Sequence, residues 1–258
     1  MQETKHSAER LLDIGRGVRL IEKRDSQTFG TDALLLAAFC RGIKGGRAAE
    51  FGCGSGAVSL LLAARGAFSQ IAAVERDEAL YDLACCNVRE NGFSHTVTLL
   101  FADVRGLTPA TAGGLFDAVF SNPPYFDPAA GRPSPNAARQ TARHGTAGDI
   151  NDFAAAAGRL LKKGGRFTVV WRPDRLPTLF TALRAAGLMP KRAAMAAAHP
   201  SAAPSIVLTE AVKDGGEGLM WLPTLYLATT AEQNAPPTDE ARSVYESGVW
   251  PQEGRRHP

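Results

Sequence analysis

From residue 48 onward the sequence switches repeatedly between two periods. Short apolar runs at 48–51, 71–74, 97–101, 116–120 and 167–171 are too brief for helices and read as buried strands. Between them lie helical stretches at 58–64, 78–90, 153–161 and 177–186. Asn91-Gly92 and Gly187 are helix stops, and Gly164-Gly165 is a turn. Strands alternating with helices of this length predict an α/β fold, a doubly wound and mostly parallel sheet. Two more runs, at 206–208 and 225–227, flank a turn at Asp214-Gly215-Gly216. A terminal hairpin there makes one strand antiparallel.

The chain of 258 residues is 45% hydrophobic and 21% charged, ordinary globular composition with length for one domain and small decorations. The first 17 residues read as a frayed or helical leader and 18–22 as a strand. Thr31 or Asp32 is a good N-cap for an apolar helix over 33–40. Residues 1–45 are thus expected to be an N-terminal extension packed on a core domain over 46–230. Residues 231–258 read as a mobile polar tail with one short helix over 239–245, and 126–148 as a long loop, functional or disordered. No apolar run reaches 18 residues and the start is polar, so neither a membrane span nor a secretory leader is expected. Cys40, Cys53, Cys85 and Cys86 form no C-x-x-C pair, and the histidines are scattered. No disulfide framework and no metal site are expected, which fits a reducing cytoplasm.

Asn122-Pro123-Pro124-Tyr125 follows the apolar run 118–120. It is either a strand-ending turn or a site. An exocyclic aromatic amine is a poor nucleophile, because its lone pair is delocalised into the ring. A catalyst must turn that lone pair toward an electrophile. The Asn122 side-chain oxygen and the Pro123 carbonyl can accept from its two N–H bonds. The prolines stiffen the corner and contribute no donors. Tyr125 can stack on a flat ring. The catalytic candidates are therefore Asn122, Pro123 and Tyr125, acting by orientation and proximity rather than by strong base chemistry.

The cofactor candidates surround Glu50-Phe51-Gly52-Cys53-Gly54-Ser55-Gly56. Gly52, Gly54 and Gly56 sit where a strand turns into a helix, the place where open α/β sheets bind ligands. Glu75 ends the second strand and can accept both hydroxyls of a ribose. Asp103, just past the third strand, can accept from an adenine amino group, with Ala102 and Val104 flanking the ring. Glu50 either approaches the cofactor or braces the loop. The same glycines satisfy a dinucleotide pattern with Ala57. A nicotinamide enzyme, however, leaves the Asn-Pro-Pro-Tyr corner unexplained.

Charge is uneven along the chain. Residues 1–130 carry 13 basic and 15 acidic side chains, residues 131–192 carry 12 and 3, and residues 193–258 carry 4 and 8. The excess of positive charge begins just past the corner. It is either a solvated face or a phosphate-binding one, and 22 of the 29 basic residues are arginine, which suits bidentate phosphate contacts.

With these residues in view, the chain resembles the Class I S-adenosylmethionine-dependent methyltransferases, and more narrowly the tRNA1(Val) (adenine(37)-N6)-methyltransferase family. The likeness runs from about Asp13 to Val249. It rests on Phe29-Gly30-Thr31-Asp32, the Glu50 to Gly56 loop, Asn122-Pro123-Pro124-Tyr125-Phe126 and Ala142-Arg143-His144. Leu160-Leu161-Lys162-Lys163-Gly164-Gly165 and Arg172-Pro173-Asp174-Arg175 add to it. The resemblance implies a seven-stranded sheet with an antiparallel seventh strand. It implies S-adenosyl-L-methionine as cofactor and the adenine beside the anticodon of a tRNA as substrate. Thr31 and Asp32 would close over the cofactor or merely cap a helix. Pro124, Phe126, Arg139, Arg143, His144, Lys162, Lys163 and Arg172 become candidate RNA contacts. No obligate protein partner is implied. Competing readings are a ribosomal RNA base-amine methyltransferase, a protein glutamine N5-methyltransferase and an idle RNA-binding relative. Only 49 residues precede Glu50, which leaves little room for the helical substrate domain usual in the glutamine enzymes.

Overall fold

The computed structural model of the chain describes residues 9–23, 29–124 and 148–251. An antiparallel hairpin, β1 (Glu9–Asp13) and β2 (Arg19–Lys23), precedes helix α1 (Thr31–Phe39). Strand and helix then alternate through β3 (Arg47–Phe51), α2 (Ala57–Ala64), β4 (Gln70–Glu75), α3 (Glu78–Glu90), β5 (Val97–Phe101) and β6 (Phe116–Ser121). Helix α4 (Ile150–Leu160) runs directly into β7 (Leu161–Trp171). Helix α5 (Leu176–Ala185), β8 (Leu188–Ala197) and β9 (Ile206–Lys213) follow. Two-residue strands β10 (Met220–Trp221) and β11 (Leu225–Tyr226) and helix α6 (Asp239–Ser247) complete the described part.

Seven of these strands make the central sheet in the order β5-β4-β3-β6-β7-β9-β8, with β10 and β11 on the outer edge of β8. The pairs from β5 to β7 are parallel, and β9 runs antiparallel to both β7 and β8. This is the expected doubly wound, mostly parallel sheet with one antiparallel strand. A parallel sheet must be covered on both faces. Residues of α1 and α2 such as Leu35, Leu36, Leu60 and Leu62 cover one face together with Ala48, Ile71 and Phe120. Phe153 and Leu160 of α4 and Leu179 and Leu183 of α5 cover the other with Phe51, Val119 and Val169. Each fully buried leucine contributes about 2 kcal/mol by leaving water.

Several local expectations are corrected. The leader read as frayed or helical contains β1, because Leu11 and Leu12 pair with Ile21 and Leu20 of β2. The cap of α1 is Gly30, with no side-chain cap, and Thr31 and Asp32 are the first two helical residues. Strand β8 has no counterpart in the sequence reading. Its Ala193, Ala194, Ala196 and Ala197 carry little strand preference, and only neighbours β9, β10 and β11 make the segment extended. Strand β9 pairs antiparallel with β8, which precedes it through residues 198–205, and not across Asp214-Gly215-Gly216 with residues 225–227, of which only Leu225–Tyr226 is strand and lies parallel to β8. Strand β7 begins at Leu161, earlier than the expected 167.

The C-terminal segment also packs where a mobile tail was expected. Helix α6 is capped by Thr238, which accepts from the Ala241 N–H at 3.1 Å. The Trp250 ring meets Phe39 edge-on at 5.1 Å, and the Trp250 backbone N–H donates to the Ala38 carbonyl at 2.9 Å. Arg65 donates to the Gly248 carbonyl at 2.6 Å. Among the described residues no helix is long and apolar enough to cross a membrane.

One buried ion cluster ties α1 to the antiparallel end of the sheet. Glu210 of β9 is fully buried and binds Arg192 of β8 at 3.2 Å and Arg41 beyond α1. The Arg192 guanidinium also lies 3.8 Å from the centre of the Phe39 ring and donates to the Phe39 carbonyl at 3.0 Å. Removing one member of such a cluster strands a buried charge. Arg192→Met should therefore lower stability by about 3–5 kcal/mol, read as a lower urea midpoint with an unchanged slope. An unchanged midpoint would show that Arg41 alone neutralises Glu210.

Candidate active site

The parallel strands β3, β4, β5 and β6 end at one edge, and the candidate residues gather there. β3 and β6 are in register, with Phe51 opposite Ser121. The buried Ser121 hydroxyl donates to the Phe51 carbonyl at 2.7 Å and locks that register. Phe51 and Ser121, the last paired residues, lie about 4.8 Å apart across the sheet, and Gly52 and Asn122 follow them from adjacent strands. The Asn-Pro-Pro corner thus begins beside the glycine loop. Pro123 is buried, while Asn122 and Pro124 are half-buried. Tyr125, Phe126, Arg139, Arg143 and His144 lie outside the described residues.

The glycine loop is bent across the end of β4. Gly52 and Cys53 N–H groups both donate to the Val74 carbonyl, at 2.9 and 3.0 Å. The Gly54 N–H donates to Glu75 Oε2 at 2.9 Å. Gly54 holds φ +55°, in the left-handed region, with open space where a side chain would be. Gly56, at φ +83°, closes the loop as N-cap of α2. Glu75 Oε1 accepts from the Arg76 and Asp77 N–H groups at 2.8 Å each. A carboxylate oxygen accepts about two hydrogen bonds in plane, so Oε2 keeps a direction for one further donor.

Glu50 lies beneath the loop and is buried. Its Oε2 accepts from the Ser59 N–H at 2.9 Å and from the Ser59 hydroxyl. Through these bonds it braces the first turn of α2. Burial pushes its carboxyl up to about 8; the Ser59 bonds oppose that rise and the nearby Glu75 charge adds to it.

Asp103 ends the third strand's turn as expected, but both its oxygens are engaged. Arg105 grips it at 2.9 and 2.6 Å, and Arg76 reaches Oδ2 at 3.0 Å. The Arg105 hydrogen bonds hold its carboxyl below the ordinary range. Val104 is buried beside it. Phe101, 58% exposed at the end of β5, tilts against Tyr81 of α3 at 5.3 Å.

The basic candidates divide. Arg172 follows β7 at the site edge and pairs with Asp174 at 3.0 Å. Lys162 and Lys163 start β7, where Leu161 lies opposite Phe116, the first residue of β6. They sit at the opposite end of the strands, in the bulge that faces 116–118 of β6, some five residues of strand before Asn122 (122 − 117) and thus on the order of 15 Å away. Lys162 is bound there to Asp117 at 2.7 Å. The structure therefore separates these two lysines from Asn122.

Sequence reasoning missed Ser59, Arg76, Arg105, Ser121 and Asn87 as parts of the site's frame. A signal existed for Asn87. It shares the buried face of α3 with Leu83, Ala84 and Val88, where a polar residue needs partners.

A family model for the methyltransferase small domain matches residues 24–183. The tRNA1(Val) (adenine(37)-N6)-methyltransferase of Bacteroides fragilis (strain ATCC 25285) is 30% identical over 179 residues, covering 69% of this chain and 74% of that protein. The protein of the same name from Dickeya chrysanthemi is 36% identical over 148 residues, covering 57% of each chain. The alignment thus spans little more than half the length of that curated relative. In fold, the chain is similar to the crystal structure of a predicted O-methyltransferase, Atu636 from Agrobacterium tumefaciens. The TM-score is 0.69 at 21% identity, covering 85% of this chain and 98% of that one.

Glu50 makes a pH prediction. The folded chain holds this proton more tightly than the unfolded chain, so stability falls as pH rises from 4.5 to about 8 and is level above that. Glu50→Gln keeps an acceptor for Ser59 and removes the titration. Urea midpoints of wild type should decline against those of the variant across this window, by at most about 1.4 kcal/mol per pH unit. Parallel profiles would mean that Glu50 ionises normally in the folded chain.

Proposed function

We propose that this chain, which belongs to the methyltransferase small domain family, methylates the exocyclic N6 amine of an adenine in tRNA with S-adenosyl-L-methionine. The observation that carries this reading is the register of β3 against β6, which sets the Asn122 corner beside the glycine loop. The names of the relatives support the substrate: adenine 37 of a tRNA, the base beside the anticodon.

The residues present fit the cofactor. Glu75 retains an acceptor direction for a ribose hydroxyl, and the loop leaves open space at Gly54. Glu75, Gly52, Gly54, Gly56, Asp103 and Val104 would hold it, with Thr31 and Asp32 nearby in the same reading. When bound, it supplies a sulfonium methyl whose transfer leaves a neutral thioether and releases the amine proton to water.

The protein's part is orientation. The Asn122 oxygen and the Pro123 carbonyl accept the two N–H bonds of the target amine and turn its lone pair out of the ring plane. The half-buried Asn122 and buried Pro123 do this with little water competing. Pro124 and the sequence-based candidates Tyr125 and Phe126 would flank the base. An anticodon-loop adenine is unpaired already, so splaying it into the corner costs less than flipping a paired base. Arg172, with the sequence-based candidates Arg139, Arg143 and His144, would meet the RNA backbone. Lys162 and Lys163 are left out of that set by their position. Residues 46–230 would be the catalytic domain, with 1–45 and 231–258 as its extensions, working in the cytoplasm without a metal or an obligate partner.

Methyl-labelled cofactor incubated with separate tRNA, ribosomal RNA and protein fractions tests the substrate. Label recovered as N6-methyladenosine in tRNA is expected, and label confined to ribosomal RNA or protein would overturn the assignment. Asn122→Ala should reduce the methylation rate by about two to three orders of magnitude, the size of losing one orienting group at a reacting centre. Cofactor affinity should stay within about twofold. Equal loss of both would remove Asn122 from the role given to it.

A further inference from the structure

Asn87 of α3 is fully buried, and its side-chain amide makes three hydrogen bonds. Its Oδ1 accepts from the Ile21 N–H at 2.8 Å, and its Nδ2 donates to the Ile21 carbonyl at 3.1 Å. The second hydrogen of Nδ2 goes elsewhere, to the carbonyl of Ser55 in the glycine loop, at 3.0 Å. One amide thus joins β2, α3 and the glycine loop.

Asn91, one helical turn on, repeats half of this arrangement. Its Oδ1 accepts from the Arg19 N–H at 2.9 Å, and its Nδ2 donates to the Arg19 carbonyl at 2.7 Å. Four residues of helix rise about 6 Å, and two residues of strand span about 6.6 Å. The two asparagines therefore match the spacing of Ile21 and Arg19, and they pair with β2 as a neighbouring strand would. The hairpin's backbone groups are satisfied by helix side chains. Only Asn87 continues the chain of bonds into the loop.

Among the described residues the other bonds on the loop come from β4 and from the loop itself, where the Gly56 N–H donates to the Cys53 carbonyl at 2.8 Å. Gly52, Cys53 and Gly54 donate to Val74 and Glu75, all from β4. The Ser55 carbonyl accepts instead from Asn87 of α3. Without this bond the Ser55–Gly56 peptide keeps only the Gly56 N–H bond to the Cys53 carbonyl, inside the loop, and loses its tie to α3.

We propose that Asn87 is a positioning residue for cofactor binding: through the Ser55 carbonyl it fixes the far side of the glycine loop and couples it to the β1–β2 hairpin. The inference rests on the methyltransferase reading above and adds to it a residue that touches neither cofactor nor substrate.

The test compares Asn87→Ala with Asn91→Ala, which loosens the hairpin without touching the loop. Binding of S-adenosylhomocysteine is measured by calorimetry, and initial rates are measured against S-adenosylmethionine and tRNA. Asn87→Ala should weaken S-adenosylhomocysteine binding about tenfold, what one net hydrogen bond of about 1.4 kcal/mol gives, and raise KM for S-adenosylmethionine alike. Its kcat at saturation and KM for tRNA should be unchanged. Asn91→Ala should leave cofactor binding within about twofold while lowering the melting temperature as Asn87→Ala does. Unchanged cofactor affinity in Asn87→Ala, or equal weakening in both variants, would overturn the proposal. Should Asn87→Ala not fold, Asn87→Ser keeps one donor, and the same loss is expected in weaker form; wild-type affinity there would overturn it too. A wild-type chain that binds no S-adenosylhomocysteine would instead sink the methyltransferase reading.

Discussion

The Glu75 carboxylate gathers three backbone N–H groups, from Gly54, Arg76 and Asp77, at the point where β4 ends. Hydrogen bonds to a charged acceptor are about twice as strong as neutral ones. Here they bend two chain segments at once, the glycine loop after β3 and the turn into α3. The direction of α3 then decides where Asn87 and Asn91 stand, and they in turn dock the hairpin. A single acidic side chain at the end of a strand thus holds both the glycine loop and the turn into α3.

The interior holds more carboxylates than a structural core requires. Glu22, Glu50, Glu75 and Glu210 are all buried. Each has donors supplied by the fold: Arg10 and the Phe29 N–H for Glu22, Ser59 for Glu50, three loop amides for Glu75 and two arginines for Glu210. Their partners differ in kind, and so does their chemistry. Arginines neutralise Glu210. Glu50 has only neutral donors, so desolvation wins and its carboxyl is pushed up to about 8. A neutral Glu50 beneath the loop and a multiply bonded Glu75 above it keep two acids close without full repulsion.

Much of the architecture was legible because parallel strands announce themselves. Inner strands are buried on both faces, so 71–74 and 118–120 are continuous apolar runs. Strand β8 was invisible for the opposite reason: its alanines favour helix in isolation, and only hydrogen bonds to β9 and the short outer strands hold them extended. The candidate residues with special chemistry, the three glycines, Glu75, Asp103 and the Asn-Pro-Pro corner, stood out in the sequence, and the fold gathers them at one end of the parallel strands. The site was unreadable where ordinary residues do the framing. Nothing about a serine at 121 or an asparagine at 87 announces its partners, because those lie 70 and 66 residues away.

The alternation of strands and helices from β3 to β7, the glycine loop and the polar corner were determined by the linear chain, since period, turn chemistry and residue type are local properties. The tertiary structure alone decided their conjunction. It set Asn122 and Gly52 just past the ends of adjacent strands, engaged Asp103 with two arginines, and moved Lys162 and Lys163 to the far end of the strands. Such outcomes follow from strand register and direction, which depend on hydrogen bonds between segments that are distant in sequence.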